Sequence, residues 1–131
     1  MKDIYERLIE LLDYSYSPYS GFRVASIAVS KGGERFEGVN VESASYSLTI
    51  CAERSALFRA ISAGVEAGEI EEVHILAKRN ATELTAVTPC GSCRQVIYEL
   101  SAGKCDIHIY GQDGKSRVVT IERLLPDSFT M

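Results

Sequence analysis

Apolar residues open the chain at helical spacing: Ile4, Leu8, Leu11 and Leu12 fall on one side, with Asp3, Glu6, Arg7 and Glu10 on the other. The pattern predicts an amphipathic helix that ends near Asp13. Residues 14–21 are mostly tyrosine, serine, proline and glycine, which predicts a loop packed on the surface, its rings available to line a pocket. Two β-like runs follow at 22–29 and 35–41, and the turn formers Lys31, Gly32, Gly33 and Glu34 between them mark a hairpin. Residues 51–63 are rich in helix formers, with Ala52, Ser55, Ala56, Arg59 and Ala60 at helical spacing and Gly64 placed to end the helix. A buried strand is expected at 72–78. Pro89 then suits a first helical position, with Thr88 as its cap and a third helix over about 90–102. Two last strands, 106–110 and 116–121, flank the turn signal Gly111, Gln112, Asp113, Gly114.

This order gives five strands and three main helices, and its strand-helix-strand unit requires a parallel pair. The expected fold is therefore α/β, a mixed five-stranded sheet with helices on both faces in three layers. No repeat or low-complexity tract interrupts it.

At 131 residues and 46% apolar composition, residues 1–131 suit one domain with one ordinary core. The 14 basic and 18 acidic residues are spread along the chain for a net charge of −4, so no basic stripe is present to track a nucleic acid. The segment Met1 to Arg7 is charged and amphipathic rather than a secretory core, and no apolar stretch reaches membrane-spanning length. A cytoplasmic protein with no membrane partner is expected.

The cysteines are Cys51, Cys90, Cys93 and Cys105. In a cytosolic chain a Cys-x-x-Cys pair more often serves metal or redox chemistry than a structural bridge. Cys90 and Cys93 sit at the start of one predicted helix and Cys51 at the start of another, where the positive ends of two helix dipoles favour thiolates. Three sulfur ligands would leave zinc a fourth position for water, the mark of a catalytic rather than a closed structural site. Cys105, heading an apolar strand, reads as a buried thiol.

Glu53 lies two residues beyond Cys51, near enough to move protons at such a site. Taken alone, it would read as a first-turn carboxylate stabilising a helix dipole. Three thiolates and Zn²⁺ sum to −1, and the adjacent Arg54 is the group expected to offset that excess by hydrogen bonding to sulfur. A Cys-x-Glu segment followed by Pro-Cys-x-x-Cys matches the zinc deaminase signature.

Further motifs extend the match: Tyr19-Ser20-Gly21-Phe22-Arg23-Val24, Gly38-Val39-Asn40-Val41-Glu42, Ala44-Ser45-Tyr46, Cys51-Ala52-Glu53-Arg54, Pro89-Cys90-Gly91-Ser92-Cys93-Arg94-Gln95, and Leu124-Leu125-Pro126 with Phe129. On these the chain resembles the small homotetrameric cytidine deaminases over nearly its whole length. The resemblance implies the three-layer fold of that family, hydrolytic deamination of cytidine and 2′-deoxycytidine in pyrimidine salvage, and one zinc per subunit on Cys51, Cys90 and Cys93. It further implies Glu53 as proton carrier, Asn40 and Glu42 on the ribose hydroxyls with Val41 between them, and Phe22 beside the pyrimidine. By the same resemblance the Ala52 amide holds the base, and Phe129 reaches a neighbouring subunit's site in a homotetramer. Glu42 would repel a phosphate, which favours a nucleoside over a nucleotide.

Val24-Ala25-Ser26-Ile27 is bulkier than the family's usual Val-Gly-Ala-Ala, Ser43 stands at a common asparagine, and residues 80–87 lack the usual Pro-Gly-Pro run. Two other readings stand beside the favoured one: a deaminase of a modified cytosine nucleoside such as blasticidin S, and a non-catalytic zinc-binding module. Without the resemblance, Asn40 and Glu42 read as the solvent face of an edge strand. His74 and His108 read as structural histidines in strands, Tyr14, Tyr16 and Tyr19 as packing, and residues 69–72 as a solvated connection.

Overall fold

The structure, a computed structural model, describes residues 3–131; Met1 and Lys2, which open the charged N-terminal segment, lie outside the described residues. Helix α1 spans Ile4–Leu12, capped by Asp3, whose side chain accepts from the Glu6 amide. Its predicted stripe is the buried one, with Leu8, Leu11 and Leu12 packed on Ala25, Ile27, Leu76 and Tyr110. The β1 (Arg23–Ser30) and β2 (Arg35–Val39) strands form the predicted hairpin, in which Gly33 takes the positive φ of 86° that the tight turn needs. Helix α2 (Ala52–Ser62) stops where Gly64, at φ 103°, lets the Val65 amide reach back to the Ala60 carbonyl.

β3 (Ile70–Arg79), β4 (Glu83–Thr85), α3 (Gly91–Ser101), β5 (Asp106–Tyr110), β6 (Ser116–Thr120) and the one-turn α4 (Ile121–Leu124) complete the chain. The sheet runs β2-β1-β3-β5-β6, with β3 and β5 parallel as expected. It has six strands rather than five, because β4 folds back on the end of β3. Asn80 makes that return possible: it sits at φ 52°, and its side-chain oxygen accepts from the amide and hydroxyl of Thr82. With three residues and one exposed edge, β4 carries too little periodicity to be seen in sequence.

Leu57, Ala56, Ala60 and Ile97 from α2 and α3 pack on Ala28, Val73 and Ile75, the opposite sheet face from α1, so the three layers are present. Three local expectations need correction. β3 begins at Ile70, which is fully buried, so part of residues 69–72 is core rather than solvated connection. Tyr14, Tyr16 and Tyr19 are each more than half exposed and do not pack inward. The α3 cap is Cys90, with Pro89 before it and not inside the helix.

His74 is satisfied within the fold, its Nδ1 2.9 Å from the Tyr110 hydroxyl and its Nε2 2.8 Å from Glu72 Oε1. Arg7 grips Glu37 with Nε and a terminal nitrogen at 2.6 and 2.8 Å, tying α1 to β2. No helix among the described residues is long and apolar enough to cross a membrane.

Candidate functional site

Two helices start with a cysteine at the cap position. Cys51 and Cys90 are both extended, at φ/ψ of −75/155° and −68/169°, and neither uses its side chain to cap its own helix. Their sulfurs are instead 3.7 Å apart, and with Cys93, one turn into α3, the three sulfurs lie within 4.8 Å of one another. Cys90 is exposed, Cys51 half-buried and Cys93 buried, so the cluster opens to solvent on one side. Cys105 is not part of it: its thiol is buried and 3.4 Å from the Asp106 carbonyl.

Three sulfurs this close cannot all be anionic without a cation. Cys51 takes the negative charge, held down to about 5 because Cys93, Arg54 and Cys90 hydrogen-bond to it, whereas the bond to Cys51 and burial push Cys93 far up. The guanidinium of Arg54 donates to Cys51 Sγ at 3.3 Å, as its place in the sequence suggested. Glu53 is buried beside the cluster, and loss of hydration, reinforced by the negative Cys51, pushes its carboxyl up to about 7. A carboxyl that exchanges its proton near neutrality is suited to general acid and base work.

The segment 40–42 lies next to this cluster. Val41 and Ile50 exchange both backbone hydrogen bonds, at 3.0 and 2.9 Å, which places the strand beside the residue that precedes Cys51. Asn40 is buried, and its side chain clamps the neighbouring loop: Oδ1 accepts from the Val24 amide at 2.9 Å and Ser15 Oγ at 2.5 Å, while Nδ2 donates to the Phe22 carbonyl at 2.8 Å. Glu42 is half-buried and accepts from the Tyr19 and Ser20 amides at 3.0 and 3.1 Å and from the Ser20 hydroxyl. Those donors hold its carboxyl below the usual range, the Ser20 hydroxyl foremost.

A cavity of about 360 Å³ opens beside Glu42 between Tyr19, Ser20, Ser43, Tyr46 and Thr49. Ala52 is buried as the first residue of α2, where a helix leaves its amides free. Phe22 is half-buried. Phe129 lies elsewhere, exposed, with its carbonyl accepting from Gln95 Nε2 at 3.1 Å.

Residues 1–109 match the family model described as the cytidine and deoxycytidylate deaminase zinc-binding region. The chain belongs to this deaminase family. Among relatives, the cytidine deaminase of Halalkalibacterium halodurans is 37% identical over 122 residues, covering 93% of this chain and 88% of that protein. That of Sporosarcina psychrophila is 35% identical over 118 residues, 90% and 82% of the two chains. The crystal structure of cytidine deaminase from Burkholderia pseudomallei superposes with a TM-score of 0.87 at 37% identity, over 98% of this chain and all of the other.

The donor set fits the zinc of this deaminase family. Sulfurs bonded to one tetrahedral zinc at about 2.3 Å are about 3.8 Å apart, against the observed 3.7 Å between Cys51 and Cys90. The clamp of Ser15, Tyr19 and Ser20 around Asn40 and Glu42 escaped the sequence reading. The signal was present in the serines of residues 15–20, but only the fold shows which carboxylate and amide they meet.

Proposed function

We propose that the chain, acting over residues 1–131 as one catalytic domain, hydrolyses cytidine and 2′-deoxycytidine to uridine and 2′-deoxyuridine with release of ammonia. The observation that carries this reading is the buried Glu53 carboxyl, poised near neutrality against three converging sulfurs at two helix starts. Cys51, Cys90 and Cys93 hold one zinc, and Arg54 draws charge from Cys51. Zinc supplies the positive charge that makes water acidic enough to attack at physiological pH.

Glu53 performs the proton transfers. It accepts a proton from the attacking water as the C4–O bond forms and delivers it to the ring nitrogen next to C4. It then takes the remaining proton of the new C4 hydroxyl and passes it to the exocyclic amine as the C4–N bond breaks and the C4 carbonyl forms. Burial suits it to each role, since neither of its charge states is strongly favoured near pH 7. The Ala52 amide, free at the start of α2, holds the base, and Phe22 packs beside the ring with Val41 along the same wall.

Asn40 and Glu42 recognise the ribose with the capacity their loop contacts leave over. Asn40 keeps one Nδ2 hydrogen and Glu42 lone pairs on Oε2, a donor and acceptor set that suits a sugar diol. Exposed Phe129 is available to a neighbouring subunit, consistent with a homotetramer whose sites lie at subunit interfaces. The protein works in cytoplasmic pyrimidine salvage on free nucleosides, without nucleic acid or membrane.

Loss of cytosine absorbance on incubation with cytidine or 2′-deoxycytidine tests the reaction. Glu53→Gln is expected to keep its zinc and lose at least about 100-fold in turnover. Absence of turnover on every cytosine nucleoside would refute the activity, and a monomeric mass in light scattering would refute the tetramer.

A further inference from the structure

The sheet face turned away from the cysteines carries a second group of metal-binding side chains. Glu72 and His74 lie two residues apart on β3, so they share a face, and His108 on β5 is the direct register partner of His74. One ligand atom from each of the three lies within 4.8 Å of the others. The two imidazoles stack with centroids 4.2 Å apart and planes 24° from parallel, so the partly exposed His108 ring has to turn off the stack before both in-plane lone pairs meet one ion. Among the described residues, neither ring nitrogen of His108 has a hydrogen-bond partner.

The hydrogen bonds of His74 leave room for an ion. A carboxylate only accepts, so without metal Nε2 carries the hydrogen toward Glu72 and Nδ1 accepts from the Tyr110 hydroxyl. Burial keeps the ring neutral, with its pKa down to about 4, so one hydrogen must be relocated and none expelled from a cation. A phenol accepts as well as it donates. The hydrogen can therefore move to Nδ1 facing Tyr110 and leave the Nε2 lone pair free beside Glu72. A ligating histidine commonly has its second nitrogen held by an oxygen in this way.

At His74 the charged neighbours are Glu72, which brings negative potential, and Arg35, which brings positive, so the Glu72 carboxylate is the one anion available to balance an ion there. His74 is deep, at 4% side-chain exposure, whereas Glu72 is at 37%, so an ion would enter past the two outer ligands. Ligands at about 2.1 Å from a tetrahedral ion are about 3.4 Å apart, so Glu72 has to draw back from its 2.8 Å contact with His74 Nε2 while His108 closes in, movements that fall on the two partly exposed side chains.

We propose that Glu72, His74 and His108 form a second transition-metal site, separate from the cysteine cluster, that takes zinc or cobalt through two imidazoles and one carboxylate and cross-links β3 to β5. Nitrogen and oxygen donors of this kind favour zinc, cobalt or nickel over magnesium and calcium.

The test adds Co²⁺ to the zinc-loaded protein and follows its spectrum and stoichiometry. One further Co²⁺ per chain is expected, with the visible d–d bands of tetrahedral nitrogen and oxygen ligation and no sulfur-to-metal charge-transfer band. His108→Ala and Glu72→Gln should each weaken that uptake at least about 100-fold while keeping zinc and deaminase turnover, which shows that both variants fold. Failure of the wild type to take up Co²⁺ at millimolar concentration overturns the proposal. So does a charge-transfer band, which reports displacement at the cysteines, or uptake unchanged in both variants.

Discussion

Gly38 is where α2 rests on the sheet, and an added methyl group there should disable the metal centre from a distance. A Cβ at this position would lie 2.4 Å from the Ala56 amide nitrogen, 2.6 Å from the Ala52 carbonyl oxygen and 2.9 Å from Ala56 Cα. All three are backbone atoms, so no rotamer change relieves the clash. Ordinary contact begins at 3.4 Å, and 3.4 − 2.4 leaves about 1.0 Å by which α2 must lift from β2. Glu53 and Arg54 lie in the first turn of that helix and Cys51 caps it, while Cys90 and Cys93 belong to α3.

Metal–ligand distances tolerate about 0.2 Å, so a shift of this size cannot be absorbed at the sulfurs. Gly38→Ala should cost about 2–3 kcal/mol from overpacking, bind less than one zinc at the cysteines, and lose about 100-fold or more in turnover. Thermal melts, metal analysis and the cytidine absorbance assay read these out. Gly91→Ala is the control: it sits beside Cys90, its added methyl meets nothing within 4 Å, and stability should hold or rise by up to about 1 kcal/mol. A Gly38→Ala protein with full zinc at the cysteines and turnover within about twofold of wild type would refute the reasoning.

Asn40→Ala leaves the Val24 amide and Phe22 carbonyl without their side-chain partner, so about 1–3 kcal/mol of stability should be lost, with a rise in KM; an unchanged Tm would contradict the clamp. Cys105→Ala should keep zinc at the cysteine cluster, whereas Cys93→Ala should lose it, as metal analysis will report. Glu37 is held below its ordinary 4.5 by its bonds to Arg7, so its contribution is present above that value and is lost as pH falls through the lower folded value. Glu37→Gln should therefore be about 0.5–1 kcal/mol less stable than wild type at pH 7, and the gap should close in acid; a gap independent of pH would dismiss the ion pair as its cause.

The sulfur cluster was legible because its chemistry is local: a cysteine just before each helix and one a turn later leave few ways to arrange three thiols. Gly33 and Gly64 were legible for a similar reason, since a positive φ is a demand on one residue. β4 was not, because its pairing depends on a left-handed Asn80 and on an edge of β3 that β5 leaves open. Pro89 was misread because proline is common at the first helical position, whereas here Cys90 takes the cap and turns its sulfur toward Cys51, an arrangement seen only in three dimensions. Asn40 and Glu42 were located by resemblance, yet their hydrogen bonds to a loop some 20 residues earlier could not be read from spacing.

The paired bonds between Val41 and Ile50 tie the segment proposed to face the sugar to the residue that precedes Cys51. Occupancy at one end then bears on the other. On the proposed reading, a nucleoside that steadies Val41 raises the affinity for the ion, and an ion that steadies Cys51 raises the affinity for the nucleoside by an equal factor, because equilibrium coupling has no preferred direction.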